Sequence, residues 1–170
     1  IGSIATSHNG FFSGSSYIVF GKASGFDAVM NLGALDGTNG FRLDGESQSD
    51  TSGNPVSPAG DFNGDGIDDI IIGAQGASHG GGFGGASYII FGKESGFDAV
   101  MNLEDLDGSN GFRLDGEDIE DQSGYSISSA GDVNGDGYDD IIIGAHKADN
   151  IGDDSGSSYV VFGKSGGFSA

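Results

Sequence analysis

The chain has 170 residues, and its 6 Lys+Arg stand against 26 Asp+Glu for a formal net charge of −20. That balance excludes a conventional nucleic-acid binder, whose affinity comes mostly from Lys and Arg neutralising phosphates, and it disfavours docking on an anionic membrane. Glycine fills 35 positions and cysteine none, so long helices, disulfides, thiolate metal sites and cysteine nucleophiles are not expected.

The chain repeats itself. Residues 15–85 align without gaps on residues 86–156, with 47 of 71 positions identical. Tyr17, Tyr88 and Tyr159 share one phase of this period, and DDIIIGA recurs at 68–74 and 139–145. Self-similarity at a fixed period is the mark of a repeat architecture. It divides the chain into a partial repeat at 1–46, a full repeat with an acidic loop at 47–117, and a second acidic-loop repeat, truncated, at 118–170.

In chain order, Asn54-Pro55-Val56-Ser57-Pro58 occupies the place held in the next unit by Tyr125-Ser126-Ile127-Ser128-Ser129. Proline cannot donate to a ladder, so the earlier strand is expected to be short or bent. Residues 75–85 are glycine-rich and read as a surface loop, as do residues 146–156. Tyr88–Phe91 is a β-branched and aromatic strand ended by Gly-Lys, and Tyr159–Phe162 repeats it. Phe97–Leu106 fits either a helical turn or an extended segment. Phe112–Leu114 alternates apolar and polar, and Tyr125–Ser128 has period two. Ile141–Ile143 is a continuous apolar run, the pattern of a strand buried on both faces. Lys22, Lys93 and Lys164 follow the same strand type and are read as guards of an edge or turn. Arg42 and Arg113 recur in FRLDGE, where salt bridges are expected.

Two nonapeptides carry the chemistry. Asp61-Phe62-Asn63-Gly64-Asp65-Gly66-Ile67-Asp68-Asp69 and Asp132-Val133-Asn134-Gly135-Asp136-Gly137-Tyr138-Asp139-Asp140 both read D-x-N-x-D-G-x-x-D. Oxygen-bearing side chains at positions 1, 3, 5 and 9 suit a hard divalent cation, since Ca²⁺ takes about 6–8 oxygens at roughly 2.3–2.6 Å. A backbone carbonyl at position 7 (Ile67, Tyr138) adds another, and Gly66 and Gly137 permit the sharp turn. The expected cofactor is therefore Ca²⁺, one ion per loop. Position 12 is Ile72 or Ile143 rather than a bidentate Glu, and a strand follows, so each loop is placed at the tip of a β-hairpin. Asp68 and Asp139, at position 8, should point away from the ion. The acidic cluster Asp118, Glu120 and Asp121 is read as a solvated face.

These loops, preceded by SxSxAG and followed by (S/A)SYxxFGK, resemble the FG-GAP repeat of integrin α chains and of large bacterial surface and secreted proteins. The chain departs from the usual repeat at Gln75 and His146, where proline often follows Gly-Ala. It departs again at Gly53-Asn54 and Gly124-Tyr125, where Phe-Gly is usual. The resemblance implies an all-β fold of tandem four-stranded antiparallel β-propeller-type blades. It also implies Ca²⁺ ligands at Asp61, Asn63, Asp65, Ile67 (carbonyl) and Asp69, and at Asp132, Asn134, Asp136, Tyr138 (carbonyl) and Asp140. Propellers close with about 4–8 blades, so two and a fraction units form an incomplete ring or an open array.

The functional expectation is a non-catalytic, extracellular, calcium-stabilised structural or adhesive repeat within a long repeat protein or filament. Its partners would be other copies of the repeat, with an extracellular protein or glycan as a further ligand; no nucleic acid and no membrane insertion are expected. An integrin-like platform presenting loops 75–85 and 146–156 is the alternative, followed by an accessory domain of a secreted enzyme. His8 and His79 share one repeat phase and are read as surface residues, and no Ser/His/Asp arrangement stands out for catalysis.

Overall fold

The computed structural model describes residues 1–79 and 82–168. Residues 80 and 81 of the expected 75–85 loop lie outside the described residues. The fold is all-β. Its strands are β1 (Gly2–Ser3), β2 (Ser15–Val19), β3 (Gly40–Asp44), β4 (Val56–Gly60), β5 (Asp69–Ala74), β6 (Ala86–Ile90), β7 (Val100–Asn102), β8 (Gly111–Asp115), β9 (Ser123–Gly131), β10 (Asp140–Ala145) and β11 (Ser157–Val161). They form three sheets with orders β1-β2-β3-β7, β4-β5-β6-β8 and β9-β10-β11, which do not close a ring.

The alternation of side chains explains the stacking. Along β5, Ile70 and Ile72 face the first sheet, while Ile71 faces the third. Along β6, Tyr88 and Ile90 face the first sheet and Ile89 the third. The middle sheet is thus covered on both sides, as the unbroken Ile-Ile-Ile run requires. The first core adds Phe41 and Leu43 of β3, and the second adds Ile141 and Ile143 of β10.

Proline acts as expected. β4 spans five residues where β9 spans nine, and its pairing with β5 is irregular between Pro58 and Gly60. β4 is also an edge strand, where proline is tolerated.

The ambiguous segment Phe97–Leu106 takes both forms in succession. β7 is extended, and one 3₁₀ turn follows at Leu103–Asp105. β7 joins the preceding sheet, in parallel with β3 and in register Arg42↔Val100, before the chain returns to pair β8 with β6. The second unit is therefore strapped to the unit before it. The strap is pinned by Phe97, whose ring stacks on Phe41 at 4.5 Å between centroids and 9° between planes. One period later, Phe168 stacks on Phe112 at 4.8 Å and 11°. The lysines have a more specific role than edge protection: the ammonium groups of Lys93 and Lys164 lie over the rings of Phe97 and Phe168, at 4.7 and 5.0 Å from the centroids.

Candidate metal centre

Residues 61–68 connect β4 to β5, and residues 132–139 connect β9 to β10, both antiparallel pairs. The nonapeptides therefore sit at hairpin tips. Gly66 and Gly137 hold φ of 87° and 93°, a left-handed conformation that a Cβ would oppose.

Within the first loop, side-chain oxygens accept from the loop's own amides. Asp61 Oδ2 accepts from Gly66 N–H at 2.9 Å, Asn63 Oδ1 from Asp65 N–H at 2.8 Å, and Asp65 Oδ1 from Ile67 N–H at 2.9 Å. The second loop repeats the design: Asp132 Oδ2 accepts from Gly137 N–H at 2.9 Å, Asn134 Oδ1 from Asp136 N–H at 2.9 Å, and Asp136 Oδ1 from Tyr138 N–H at 3.0 Å. These bonds curl each loop around its own side chains.

Position 9 is different. Asp69 and Asp140 are buried at the start of β5 and β10. Asp69 Oδ2 accepts from the N–H groups of Phe62 and Asn63, and Oδ1 from that of Gly92 at 2.8 Å. Asp140 accepts likewise from Val133 and Gly163. The carboxylate thus ties the acidic loop to the loop after the YxxFGK strand. Burial pushes the Asp69 carboxyl up to about 6, against the pull of its three amide donors.

One oxygen in the first loop stands alone: Asp61 Oδ1 is buried without a hydrogen-bond partner. Buried polar atoms are nearly always satisfied by protein, water or an ion. An all-oxygen donor set with one orphaned carboxylate oxygen fits a hard cation. Asp61, Asn63, Asp65 and the Ile67 carbonyl share the loop, while Asp69 follows at the start of β5 with both its oxygens on backbone amides. In the second loop Asp132, Asn134 and Asp136 are exposed.

A second constellation has no counterpart in the sequence reading. Glu46, Asp50 and His79 bring one ligand atom each to within 4.8 Å of one another. His79 Nε2 lies 3.0 Å from Glu46 Oε2 and 3.2 Å from the hydroxyl of Tyr88. His79 is therefore half-buried rather than a surface histidine. Burial raises the Asp50 carboxyl above its ordinary range and pushes the Tyr88 phenol up as well. Arg113 reaches the same place, with Nη1 at 3.1 Å from Glu46 Oε1 and Nε at 2.7 Å from Asp115 Oδ1. Arg42 pairs with Asp44 at 2.8 Å. Only the shared phase of His8 and His79 hinted at this cluster, whose members come from distant parts of the chain. The nearby acidic reading also changes: Asp118 and Glu120 are exposed, but Asp121 is buried and accepts from the Asp118 N–H.

Comparison with known proteins fits this architecture. The family described as FG-GAP repeat matches residues 55–90 and 123–161. Each match takes in one nonapeptide and the three strands around it, β4-β5-β6 and β9-β10-β11. The chain is also similar to integrin alpha pat-2 of Caenorhabditis elegans, at 35% identity over 106 residues. That alignment covers 62% of this chain and 8% of the integrin. Among the described residues, no helix is long and apolar enough to cross a membrane. Two stretches of the chain thus match the FG-GAP repeat, each lying within one of the successive sheets of an all-β fold.

Proposed function

We propose that the chain is a non-catalytic, calcium-binding segment of an extracellular structural or adhesive protein, in which each nonapeptide holds one Ca²⁺ and thereby rigidifies its hairpin. The ligands would be Asp61, Asn63, Asp65, the Ile67 carbonyl and Asp69 in one loop, and Asp132, Asn134, Asp136, the Tyr138 carbonyl and Asp140 in the other. The observation that carries this reading is the buried, unpartnered Oδ1 of Asp61. Bound Ca²⁺ would supply the missing partner and offset the crowding of carboxylates. The residues' own part is to pre-curl the loop through the Asp61, Asn63 and Asp65 acceptor bonds. Repeat boundaries near 1–46, 47–117 and 118–170 follow from the period.

Extracellular modules bind Ca²⁺ with Kd on the order of 10⁻⁴–10⁻³ M, so such sites fill only where calcium is millimolar. That is the argument for a secreted or cell-surface location. Isothermal titration with Ca²⁺ should give two sites per chain, and Asp61→Ala combined with Asp132→Ala should remove both. Titration without heat or saturation at millimolar Ca²⁺ would overturn the reading.

The natural partner is a further unit of the same kind. Ile142 and Val160 are exposed on the third sheet. One period earlier, Ile71 and Ile89 are fully buried against that sheet. A platform reading is supported by loops 75–85 and 146–156, the least similar stretch of the repeat, where Phe83 and Ile151 are exposed. Swapping these loops for Gly-Ser should then abolish capture of an extracellular protein or glycan ligand.

A further inference from the structure

We propose that Glu46, Asp50 and His79 form a second kind of metal site, for a borderline divalent ion of the Zn²⁺ class, distinct from the two all-oxygen loops. The donor set is one imidazole nitrogen and two carboxylates, with ligand atoms within 4.8 Å of one another. Around tetrahedral Zn²⁺, with bonds of about 2.0–2.2 Å, neighbouring ligand atoms lie roughly 3.3 Å apart. The 3.0 Å between His79 Nε2 and Glu46 Oε2 is close to that spacing. Imidazole favours Zn²⁺ over Ca²⁺, which seeks an oxygen cage.

Four observations beyond the clustering point to a ligand. Asp50 is only 2% exposed, yet among the described residues its carboxylate accepts one hydrogen bond, from Ser47 N–H to Oδ2, and has no ion pair. One of its carboxylate oxygens lies within 4.8 Å of the His79 and Glu46 ligand atoms. Nε2 is the ring nitrogen turned into the cluster, since both Glu46 and Tyr88 lie against it. Arg113 Nη1 donates to both Glu46 oxygens, at 3.1 and 3.3 Å, the kind of outer support that orients metal ligands. His79 keeps 20% of its side chain exposed, which leaves a path for an ion and for a water as fourth ligand.

The repeat supplies its own control. One period on, Glu117, Asp121 and Tyr159 recur, but His79 is replaced by Asn150. There the tyrosine donates to the glutamate directly, Tyr159 hydroxyl to Glu117 Oε2 at 2.7 Å. The same frame without imidazole closes on itself, so the histidine confines the site to one unit.

The test is isothermal titration of the whole chain with ZnCl₂ in saturating Ca²⁺, with Co²⁺ as a spectroscopic probe. One Zn²⁺ should bind per chain, and Co²⁺ should give a visible d–d band. His79→Asn, the residue the next unit tolerates, should weaken Zn²⁺ by tenfold or more, on the order of what loss of metal-site partners costs, while the Ca²⁺ isotherm stays unchanged. Asp50→Asn should act alike, and His8→Asn and His146→Asn should have no effect. Absence of Zn²⁺ binding, its survival in His79→Asn, or equal loss in the His8 or His146 variants would overturn the proposal. Failure of the Ca²⁺ isotherm alone would strike the loop reading and leave this one standing.

Discussion

The side chain of Asp139 accepts a hydrogen bond from the backbone N–H of Asp61, Oδ2 to N at 2.9 Å, and the Asp139 N–H donates back to the Asp61 carbonyl at 3.2 Å. Position 8 of one acidic loop is thereby tied to position 1 of the loop before it, across 78 residues. The contact is close enough that Gly60, at φ 72°, has no room for a Cβ beside the Asp139 carboxylate. Asp139, outward-pointing by its place in the loop, thus couples successive loops.

Removing that tie should be measurable. A hydrogen bond to a charged group contributes about 1.5–3 kcal/mol, and Asp139 is partly solvated, so Asp139→Ala should cost about 1–2 kcal/mol in urea unfolding. Ca²⁺ affinity at the first loop should fall with it. Asp68, the same position one period earlier, is exposed. Asp68→Ala should stay within about 0.5 kcal/mol of the parent. Equal losses at the two positions would show that the charge matters and the contact does not.

Calcium removal tests the loops together. At tenfold excess over Kd, each site adds about 1.4 kcal/mol by mass action. For a chain of this length, 1 kcal/mol moves the melting temperature by about 2–4 °C. Excess EDTA should therefore lower the Tm by roughly 5–10 °C against millimolar Ca²⁺, and calorimetry that finds the two curves superimposed would remove the stabilising role.

The strap between units gives a second internal comparison. Phe97 contacts Phe20 and Phe41 of the preceding unit, while its repeat equivalent Phe26 is 54% exposed. Burying and truncating a core phenylalanine differ by about 3–5 kcal/mol, and Phe97 is half-buried, so Phe97→Ala should cost about 2–3 kcal/mol. Phe26→Ala should be close to neutral by the same chemical denaturation. Lys93→Ala should lose less, on the order of 0.5–1 kcal/mol for an exposed cation–π contact.

The parts legible in the sequence were those fixed by local pattern. The Ile141–Ile143 run announces burial on both faces, which is met by its repeat equivalent Ile70–Ile72 but not by the run itself, where Ile142 is 38% exposed because no further sheet covers it. The Pro55 and Pro58 pair announces a shortened edge, and the nonapeptides announce hairpin tips. The strap was not legible, because Val100–Asn102 is too short for a period and its partner, β3, belongs to the unit before. The Glu46–Asp50–His79 cluster was hidden for a related reason: Arg113 reaches Glu46 across 67 residues, and no linear motif carries such a pairing. Identical repeat positions also meet different surroundings, so Phe62 is buried under the third sheet while Val133 is exposed at 60%.

That last asymmetry leads to a prediction about association. Ile142 and Val160 are exposed on the third sheet, at 38% and 45%, and Val133 and Phe162 are exposed in the segments flanking its strands, at 60% and 53%. Their equivalents Phe62, Ile71, Ile89 and Phe91 form or line the second core. Exposed apolar side chains in one unit whose equivalents are buried in the unit before mark an interaction surface, and the surface they match by chemistry is another sheet of the same repeat. Sedimentation at rising concentration should show reversible end-to-end association of the chain. Val160→Lys with Phe162→Lys should suppress it, since a charge placed in such a contact must be desolvated without a partner. The unfolding midpoint of the double variant should stay near the parent's at low concentration, because neither side chain belongs to the chain's own buried clusters. A variant that associates as strongly as the parent would mean that the association, if any, runs through the loops and not through the sheet face.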